Sequence, residues 1–333
     1  MENNQTTSVE TVAVGKASRR DQFTVLWGRY STVAILVLIV AVFSLLEPIF
    51  MTGTNMLRIV DQGAVTILLA LGEFFAILLA GIDLSVGSLM ALTGVITAQL
   101  MATGLPWPLA LLAGVLSGCA AGFVNGLLIS LTKLPPFIIT LGTMSIMRGL
   151  TWVLCDARAV PVNSAAYSTV MSGHLFNLIP TSLILIAVLA AALIFFTTRT
   201  KAGRNIYAMG GNPQAAWYAG INTMRHTLLA FSVSGLCAAL AGAVNVARLG
   251  SAEPNAGTGY ETYAIAAVII GGTSFFGGEG VIWKVLIGGL IIATINNGLN
   301  MVGVSAYYQQ IAMGGLIVVA VTLDRFFGPR STR

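Results

Sequence analysis

Residues 67–90, ILLALGEFFAILLAGIDLSVGSLM, carry two carboxylates in an apolar setting: Glu73 inside one apolar run and Asp83 between that run and the next. The runs cover 63–80 and 84–101. Each reaches the roughly 17 to 25 residues that a helix needs to cross a hydrocarbon core of about 30 Å. The stretch therefore predicts two membrane-spanning helices joined by a short turn that holds Asp83.

The composition of the whole chain agrees with this prediction. Of its 333 residues, 56% are hydrophobic and 9% are charged, whereas a soluble globular domain has about 25% charged residues. The mean hydropathy is +0.87, and the 37 glycines suit a membrane protein, since glycine is commoner in membrane helices than in soluble ones. These values exclude a soluble domain.

Polar breaks divide the chain into ten apolar stretches. The predicted fold is thus all-α and polytopic, with about ten transmembrane helices between a polar tail at 1–29 and a second tail at 326–333, so that the membrane domain covers 30–325. The stretch at 262–272 is short for a span, and either its polar flank extends it or the helix is broken. Ten spans also allow a repeat of five plus five, inverted in the membrane. The stretches are 30–46, 63–80, 84–101, 109–131, 136–155, 178–196, 226–247, 262–272, 281–300 and 306–324.

The distribution of Lys and Arg predicts the orientation, because these residues are retained on the cytoplasmic side. With both termini inside, only Arg58, Arg158 and Arg248 of the 17 lie outside, Arg148 lies within a span, and the other 13 are inside. The net charge of +5 then reflects topology. Nucleic acid is not an expected partner, because no basic stripe is interleaved with exposed aromatic residues.

Motifs for catalysis are missing from the sequence. It has no G-x-x-x-x-G-K-[ST] phosphate loop, no H-E-x-x-H and no G-x-S-x-G, and only two histidines. Cys119, Cys155 and Cys237 show no metal-ligand spacing and are interpreted as packing residues. A membrane-embedded enzyme would need a nucleophile beside a base, and a secondary carrier would need clustered intramembrane acids. Neither pattern is present.

The polar residues inside the spans are candidates for a translocation pathway or gate. Glu73 has either a structural hydrogen-bonding role or a role in translocation. Asp83 is placed at the cytoplasmic boundary, where it either caps the helix beginning at Leu84 or forms part of an inner gate with the Gly-rich break at 271–280. Neutral amides suit a neutral polyhydroxylated solute, but they also join helices in lipid. Within INNGLN, two of them are four residues apart and share a helix face. The amides are Asn125, Asn245, Asn296, Asn297 and Asn300.

Two further features concern packing and docking. Gly114, Gly118, Gly122 and Gly126 recur at intervals of four, a pattern that lets helix backbones approach closely. The long polar interruption at 197–225 is either a solvated linker or a cytoplasmic docking surface. Its NPQAAWYAG, residues 212–220, predicts a short helix with Asn212 as N-cap, Pro213 first and Gly220 at the end.

Five segments together resemble the permease subunits of bacterial ABC importers for monosaccharides, the ribose, galactose, arabinose and allose group. The resemblance covers about 30–325, and GEFFAILLAGIDLSVG with YETYAIA brings it nearest to the allose members. The segments are GEFFAILLAGIDLSVGS (72–88), PFIITLGTMSIMRGL (136–150), GRNIYAMGGNPQAAWYAGI (203–221), ARLGSAEPNAGTGYETYAIAAVIIGGTSFFGGEG (247–280) and INNGLN (295–300).

This resemblance implies a subunit that moves a monosaccharide of the D-allose or D-ribose type across the bacterial inner membrane. It implies a second permease copy, expected to form a homodimer, a periplasmic sugar-binding protein, and a cytoplasmic ATPase subunit that binds the ATP, so that this chain needs no cofactor of its own. Membrane lipid surrounds the spans. A secondary sugar carrier or facilitator is the alternative. The coupling surface for the ATPase would include Gly203, Arg204, Asn212, Ala215, Ala216 and Gly220.

Overall fold

The computed structural model describes residues 19–176 and 178–327, and most of them are helical. The helices are α1 Arg19–Leu46, α2 Gly53–Leu78, α3 Val86–Ala102, α4 Trp107–Thr132, α5 Pro136–Cys155, α6 Ala165–Ser172, α7 Thr181–Arg199, α8 Lys201–Gly211, α9 Pro213–Tyr218, α10 Thr223–Leu249, α11 Tyr260–Ile270, α12 Ile282–Met301 and α13 Ala306–Phe327. Four two-residue strands, β1 Val160–Pro161, β2 His174–Leu175, β3 Ile179–Pro180 and β4 Ser251–Ala252, pair antiparallel as β1 with β4 and β2 with β3.

Each of the ten predicted apolar stretches lies on a helix, and the all-α polytopic fold is confirmed. Six helices are long and apolar enough to cross a membrane: α2, α4, α5, α7, α10 and α12. The apolar part of α1, together with α3 and α11, forms shorter apolar helices. Helix α1 already begins at Arg19, so residues 19–29 of the predicted polar tail are helical, while 1–18 and 328–333 lie outside the described residues.

Helix α2 forms the centre of the bundle. Every residue from Gly63 to Leu78 is buried, because α10, α11 and α12 pack around it. A helix that is apolar on all sides belongs in such a position. The centre of the protein is therefore the helix that carries Glu73.

The glycine ridge of α4 packs against α10, as the spacing predicts. A Cβ on Gly118 would lie 2.6 Å from the carbonyl oxygen of Gly235, and one on Gly122 would collide with the carbonyl of Phe231. These contacts leave no room for a side chain. The ridge thus brings the two backbones together and fixes α10 beside α4.

The connection from α2 to α3 folds back into the bundle. Gly81 donates its N–H to the carbonyl oxygen of Ala76 at 2.9 Å, and Asp83 donates its N–H to Glu73 Oε1 at 3.1 Å. Asp83 also contacts Ser234, which lies eleven residues into α10 and so about 16 Å from the start of that helix at 1.5 Å per residue. Helix α3 consequently begins inside the protein.

The connection from α10 to α11 folds back from the opposite end. Arg148 Nη1 donates to the carbonyl oxygens of Pro254 and Ala256, both at 2.8 Å, and Gly257 contacts Gly87 in the first turn of α3. The 11 residues of α11 show that the stretch at 262–272 is a short helix after a break. The first turns of α3 and α11 therefore meet inside the bundle.

Candidate functional site

The two breaks meet at a central junction, formed by residues 81–87 and 254–261, with Asp83 at its centre. Asp83 is fully buried. Its Oδ1 accepts from the Ser85 N–H at 3.0 Å and from Ser85 Oγ at 2.6 Å, and its Oδ2 accepts from Ser234 Oγ at 2.8 Å. Three donors converge on one carboxylate, which is the pattern that stabilises a buried charge.

The capping interaction of Asp83 differs from the one predicted. Helix α3 begins at Val86, and its N-cap residue is Ser85, whose side chain makes no capping hydrogen bond. Asp83 accepts the backbone N–H and the hydroxyl of Ser85, and not an N–H of the first turn of α3. Residues 79–85 fold back along α2, since the Asp83 N–H bonds to Glu73, so the carboxylate is buried within the bundle. Its place at the cytoplasmic boundary stays a prediction.

Glu73 supports the same backbone segment from α2. It is fully buried, its Oε1 accepts the Asp83 N–H, and its Oε2 has no hydrogen-bond partner among the described residues. A carboxyl group with one donor is less well stabilised as an anion than Asp83 with three. The geometry provides the structural hydrogen bond that was one of the two predicted roles of Glu73.

Two further polar side chains, an amide and a hydroxyl, complete the junction. Asn125 Nδ2 on α4 donates to Ser85 Oγ at 2.9 Å. Thr140 on α5 accepts from the Leu84 N–H at 3.2 Å and donates to the Ile82 carbonyl at 3.0 Å. Four long helices thus hold one seven-residue segment: α2 and α5 bond to its backbone, and α4 and α10 bond to its side chains.

The junction also requires small residues that the sequence reasoning had not selected. A Cβ on Gly87 would collide with the Gly257 carbonyl and lie 2.6 Å from Glu261 Oε2. Glu261 is the acidic residue of the first turn of α11, where the helix dipole favours a negative charge. Gly87 and Gly257 are far apart in sequence, so their packing role could be recognised only once it was known that the two breaks meet.

A second polar region is a cavity of about 520 Å³ at the opposite end of α2. This volume falls within the roughly 300 to 1,000 Å³ of small-molecule sites. Asn55 and Asn297 in its wall exchange two hydrogen bonds, at 3.0 and 3.1 Å. The cavity offers amide, hydroxyl and guanidinium groups together, which can donate and accept hydrogen bonds. Its lining residues are Ile49, Thr52, Thr54, Asn55, Arg58, Gln62, Asn297, Asn300 and Met301.

Some of the predicted amides lie at the junction or in the cavity, and others lie in neither region. Asn125 belongs to the junction, and Asn300 lines the cavity, where its Oδ1 also accepts from Gln309 at 2.8 Å. Asn296 does not line the cavity; Asn297, three residues before Asn300, takes the place that the spacing had suggested for it. Asn245 is buried on α10, eleven residues beyond Ser234 and so about 16 Å from the junction.

The segment 197–225 is built as two helices. Thr200 caps α8 by accepting from the Gly203 N–H at 3.0 Å, and Asn212 caps α9 by accepting from the Ala215 N–H at 2.9 Å. Pro213 is the first residue of α9 and Gly220 follows it with φ +79°. The short helix is confirmed, although it ends at Tyr218.

The residues predicted for coupling are distributed over this segment. Gly203 packs tightly against the Phe196 carbonyl, and Ala216 is buried, whereas Arg204, Ala215 and Gly220 are exposed. The largest exposed groups of α9 were not predicted: Trp217 is 62% exposed and Tyr218 is 81% exposed. Their rings form an edge-to-face pair with centroids 5.0 Å apart. Exposed aromatic pairs of this kind are typical of protein-binding surfaces.

Helix α8 contacts the end of α2, where segment 79–85 begins, and the Gly-rich break at 271–280, which follows α11 and is separate from the α10–α11 break of the junction. A Cβ on Gly210 would collide with the Leu78 carbonyl and lie 2.5 Å from the Gly278 nitrogen, and Gly278 donates its N–H to Leu78 at 2.9 Å. Tyr207 OH donates to the Gly280 carbonyl at 2.8 Å, and burial raises the pKa of Tyr207, so the phenol keeps its proton. A movement of α8 would therefore reach the start of segment 79–85 and the break at 271–280 together.

Comparison with known proteins gives consistent matches over this helical region. Residues 55–321 match the family described as the permease component of the branched-chain amino acid transport system. The chain is 53% identical to the D-allose transport system permease protein of Escherichia coli K12 over 91% of its own length and 93% of the relative. It is 43% identical to the ribose import permease protein of Bacillus subtilis, over 87% and 90%.

A third relative extends the range of sugars. The galactose/methyl galactoside import permease protein of Salmonella typhimurium is 36% identical, over 87% of this chain and 92% of the relative. No solved structure matches this chain.

Proposed function

The chain belongs to the family of transport permease components, and we propose that it is the membrane-spanning subunit of an ATP-binding-cassette importer for a monosaccharide. The family description mentions branched-chain amino acids, but the relatives at 53% and 43% identity are named as permeases for allose and ribose. Identity of 53% over nine-tenths of both chains favours D-allose, with D-ribose as the second candidate.

The observation that carries this proposal is the contact of α8 with the end of α2, where segment 79–85 begins, and with the Gly-rich break at 271–280, while α9 packs on α8. A separate ATPase subunit binds ATP and receives α9, and Trp217 and Tyr218 are the side chains available to enter its groove. Binding sites commonly bury such aromatic residues at their centre. The permease itself performs no nucleotide chemistry and is not an enzyme.

The conformational signal passes from α9 to α8 and then to the junction. Gly210 contacts Leu78, the residue just before the segment that carries Asp83, and it contacts Gly278 in the Gly-rich break at 271–280. Displacement of α8 on ATP binding or hydrolysis moves segment 79–85 and the break at 271–280 together. Because packed interiors switch between discrete arrangements, this displacement opens or closes the junction as a gate.

The sugar enters through the cavity at the opposite end of α2. Asn55, Asn297 and Asn300 there can exchange hydrogen bonds with sugar hydroxyls, and Arg58 adds a fixed donor. Glu73 lies eleven residues beyond Gln62 on α2, so the junction is about 16 Å further along the pathway. Asp83, Glu73 and Asn125 form the narrow part that the sugar must pass.

The remaining parts of the transporter follow from this assignment. A periplasmic binding protein delivers the sugar, a second copy of the chain forms a homodimer around the pathway, and the assembly lies in the bacterial inner membrane with both termini in the cytoplasm. Membrane lipid covers the outer faces. The domain limits remain as proposed from the sequence, with the membrane domain at 30–325.

Uptake by liposomes that contain defined subunits tests this function. The permease, the ATPase and the binding protein are reconstituted together, and each is then omitted, with labelled D-allose and D-ribose as substrates. We expect uptake only when the ATPase and ATP are present. Undiminished uptake by the permease alone would contradict the proposal and identify a secondary carrier or facilitator.

A further inference from the structure

A second cavity lies between the first turns of α8 and α10, away from the junction and from the sugar cavity. Its volume is about 270 Å³, and its walls are Lys201, Ala202, Asn205, Arg225, His226 and Leu229. Four of these six residues are polar or cationic. The proposed transport cycle uses none of them.

The charge of this cavity is uncompensated. Lys201 and Arg225 are exposed, and their side chains form no hydrogen bond or ion pair with the described residues. The sequence contains no Asp or Glu between Asp156 and Glu253, so no acid from this region can neutralise them. Two cations beside one cavity give it a positive potential that attracts an anion from outside the chain.

The polar groups beside the two cations are fixed in place. His226 Nδ1 lies 2.7 Å from the carbonyl oxygen of Asn222 and therefore carries a proton. Its Nε2 then accepts from Asn205 Nδ2 at 3.1 Å. His226 thus holds the Asn205 amide against the cavity wall. Lys201 and Arg225 are the permanent cations of the site.

We propose that this cavity binds a phosphate group. Arginine and lysine are the usual ligands of phosphate, and the cavity lies beside the starts of α8 and α10, where the helix dipole favours a negative charge. The cavity lies where α7 ends and α8 begins, and exposed Leu229 forms its apolar edge. A phospholipid headgroup and free phosphate share this chemistry, and basic cavities at the cytoplasmic ends of membrane helices suit anionic headgroups. This proposal does not depend on the transport function.

The test measures binding to the purified chain in detergent, from the shift of its unfolding midpoint. Phosphatidylglycerol, phosphatidylcholine and inorganic phosphate are titrated separately. The Lys201→Gln/Arg225→Gln double variant is compared with Arg199→Gln/Arg204→Gln, which removes the same charge from exposed positions outside the cavity. Ala202→Trp supplies a variant that fills the cavity but keeps both charges.

We expect phosphatidylglycerol or phosphate to bind the wild type and the Arg199/Arg204 variant equally. Loss of two charge-assisted hydrogen bonds should weaken binding by about tenfold or more in the Lys201/Arg225 variant, and Ala202→Trp should weaken it likewise. Binding of phosphatidylglycerol but not phosphate identifies the lipid as the ligand, and the converse identifies free phosphate. Equal weakening in both double variants, unchanged binding in the Lys201/Arg225 variant, or no binding to the wild type would overturn the proposal.

Discussion

Replacement of Asp83 separates its charge from its hydrogen bonds. In Asp83→Asn, Oδ1 still accepts both bonds from Ser85, and the new amide can donate to Ser234 Oγ after the hydroxyl rotates. In Asp83→Ala, the Ser85 N–H and the hydroxyls of Ser85 and Ser234 lose their acceptor. The two variants therefore differ in how many buried donors they leave unsatisfied.

The magnitudes follow from these three bonds. Each buried donor without a partner costs about 1 to 3 kcal/mol. Asp83→Ala leaves three such donors without their acceptor. Because the two serine hydroxyls can turn to other acceptors, the full cost is not reached. We therefore expect Asp83→Ala to lower the free energy of unfolding by about 3 to 5 kcal/mol. Asp83→Asn loses only the charge-assisted part of the bonds, about 1 to 2 kcal/mol.

The assay combines membrane abundance, the unfolding midpoint in detergent and ATP-driven sugar uptake. Asp83→Asn should reach the membrane at normal abundance and yet lose most of its uptake, since the gate requires the charge that three donors stabilise. Asp83→Ala should show both a lower midpoint and lower abundance. Full uptake by the Asn variant would refute the role of the charge, and an unchanged midpoint for the Ala variant would refute the energetic argument.

Three further predictions concern docking, packing and sugar entry. The double variant Trp217→Ala/Tyr218→Ala should weaken ATPase binding at least about tenfold, since aromatic anchors carry much of the binding energy of an interface. Its unfolding midpoint should stay unchanged, and retention of the ATPase in a copurification assay would contradict this prediction. Gly122→Ala should destabilise the chain by about 1 to 3 kcal/mol through overpacking. Gly142→Ala should not, because its Cβ would have open space. Equal unfolding midpoints for the two variants would contradict the packing role of Gly122. Asn297→Ala should raise the sugar concentration needed for half-maximal uptake without changing ATPase binding, and an unaltered concentration dependence would remove the cavity from the pathway.

Much of the helical architecture could be predicted from apolar length alone. All ten apolar stretches lie on helices, and the α4 ridge packs through its glycines as their spacing indicates. These features depend on neighbouring residues along one helix, and periodicity records such relations directly. The capped helix α9 was predicted for the same reason, since Asn212 and Pro213 act within one turn.

The apolar pattern of the sequence did not predict that the two connections, α2 to α3 and α10 to α11, fold back into the bundle. Residues 79–85 look like a surface turn because Gly81 and Asp83 interrupt two apolar runs, and the bonds to Glu73, Thr140 and Ser234 that hold them inside come from three other helices. A polar backbone at membrane depth is stable only with such partners. Partners distant in sequence leave no periodic pattern.

The choice of amides shows the limit of helix-face arguments. Spacing alone paired Asn296 with Asn300, whereas the rotation of α12 against α2 brings Asn297 to Asn55 and into the cavity. That rotation depends on the residues of the neighbouring helix. Gly289, for example, contacts Ile67 of α2 so closely that a Cβ would lie 2.6 Å from its side chain.

If α8 transmits the movement of the ATPase to segment 79–85 and to the break at 271–280, substitutions at two adjacent glycines should differ in their effect. Gly210 is wedged between Leu78 and Gly278, whereas a Cβ on Gly211 would meet nothing within 4 Å. The measurement is the number of sugar molecules taken up per ATP hydrolysed by the reconstituted transporter. We expect Gly210→Ala to lower this ratio severalfold while ATP hydrolysis continues, and Gly211→Ala to leave it at the wild-type value. An unchanged ratio for Gly210→Ala, or the same loss in both variants, would contradict transmission through α8.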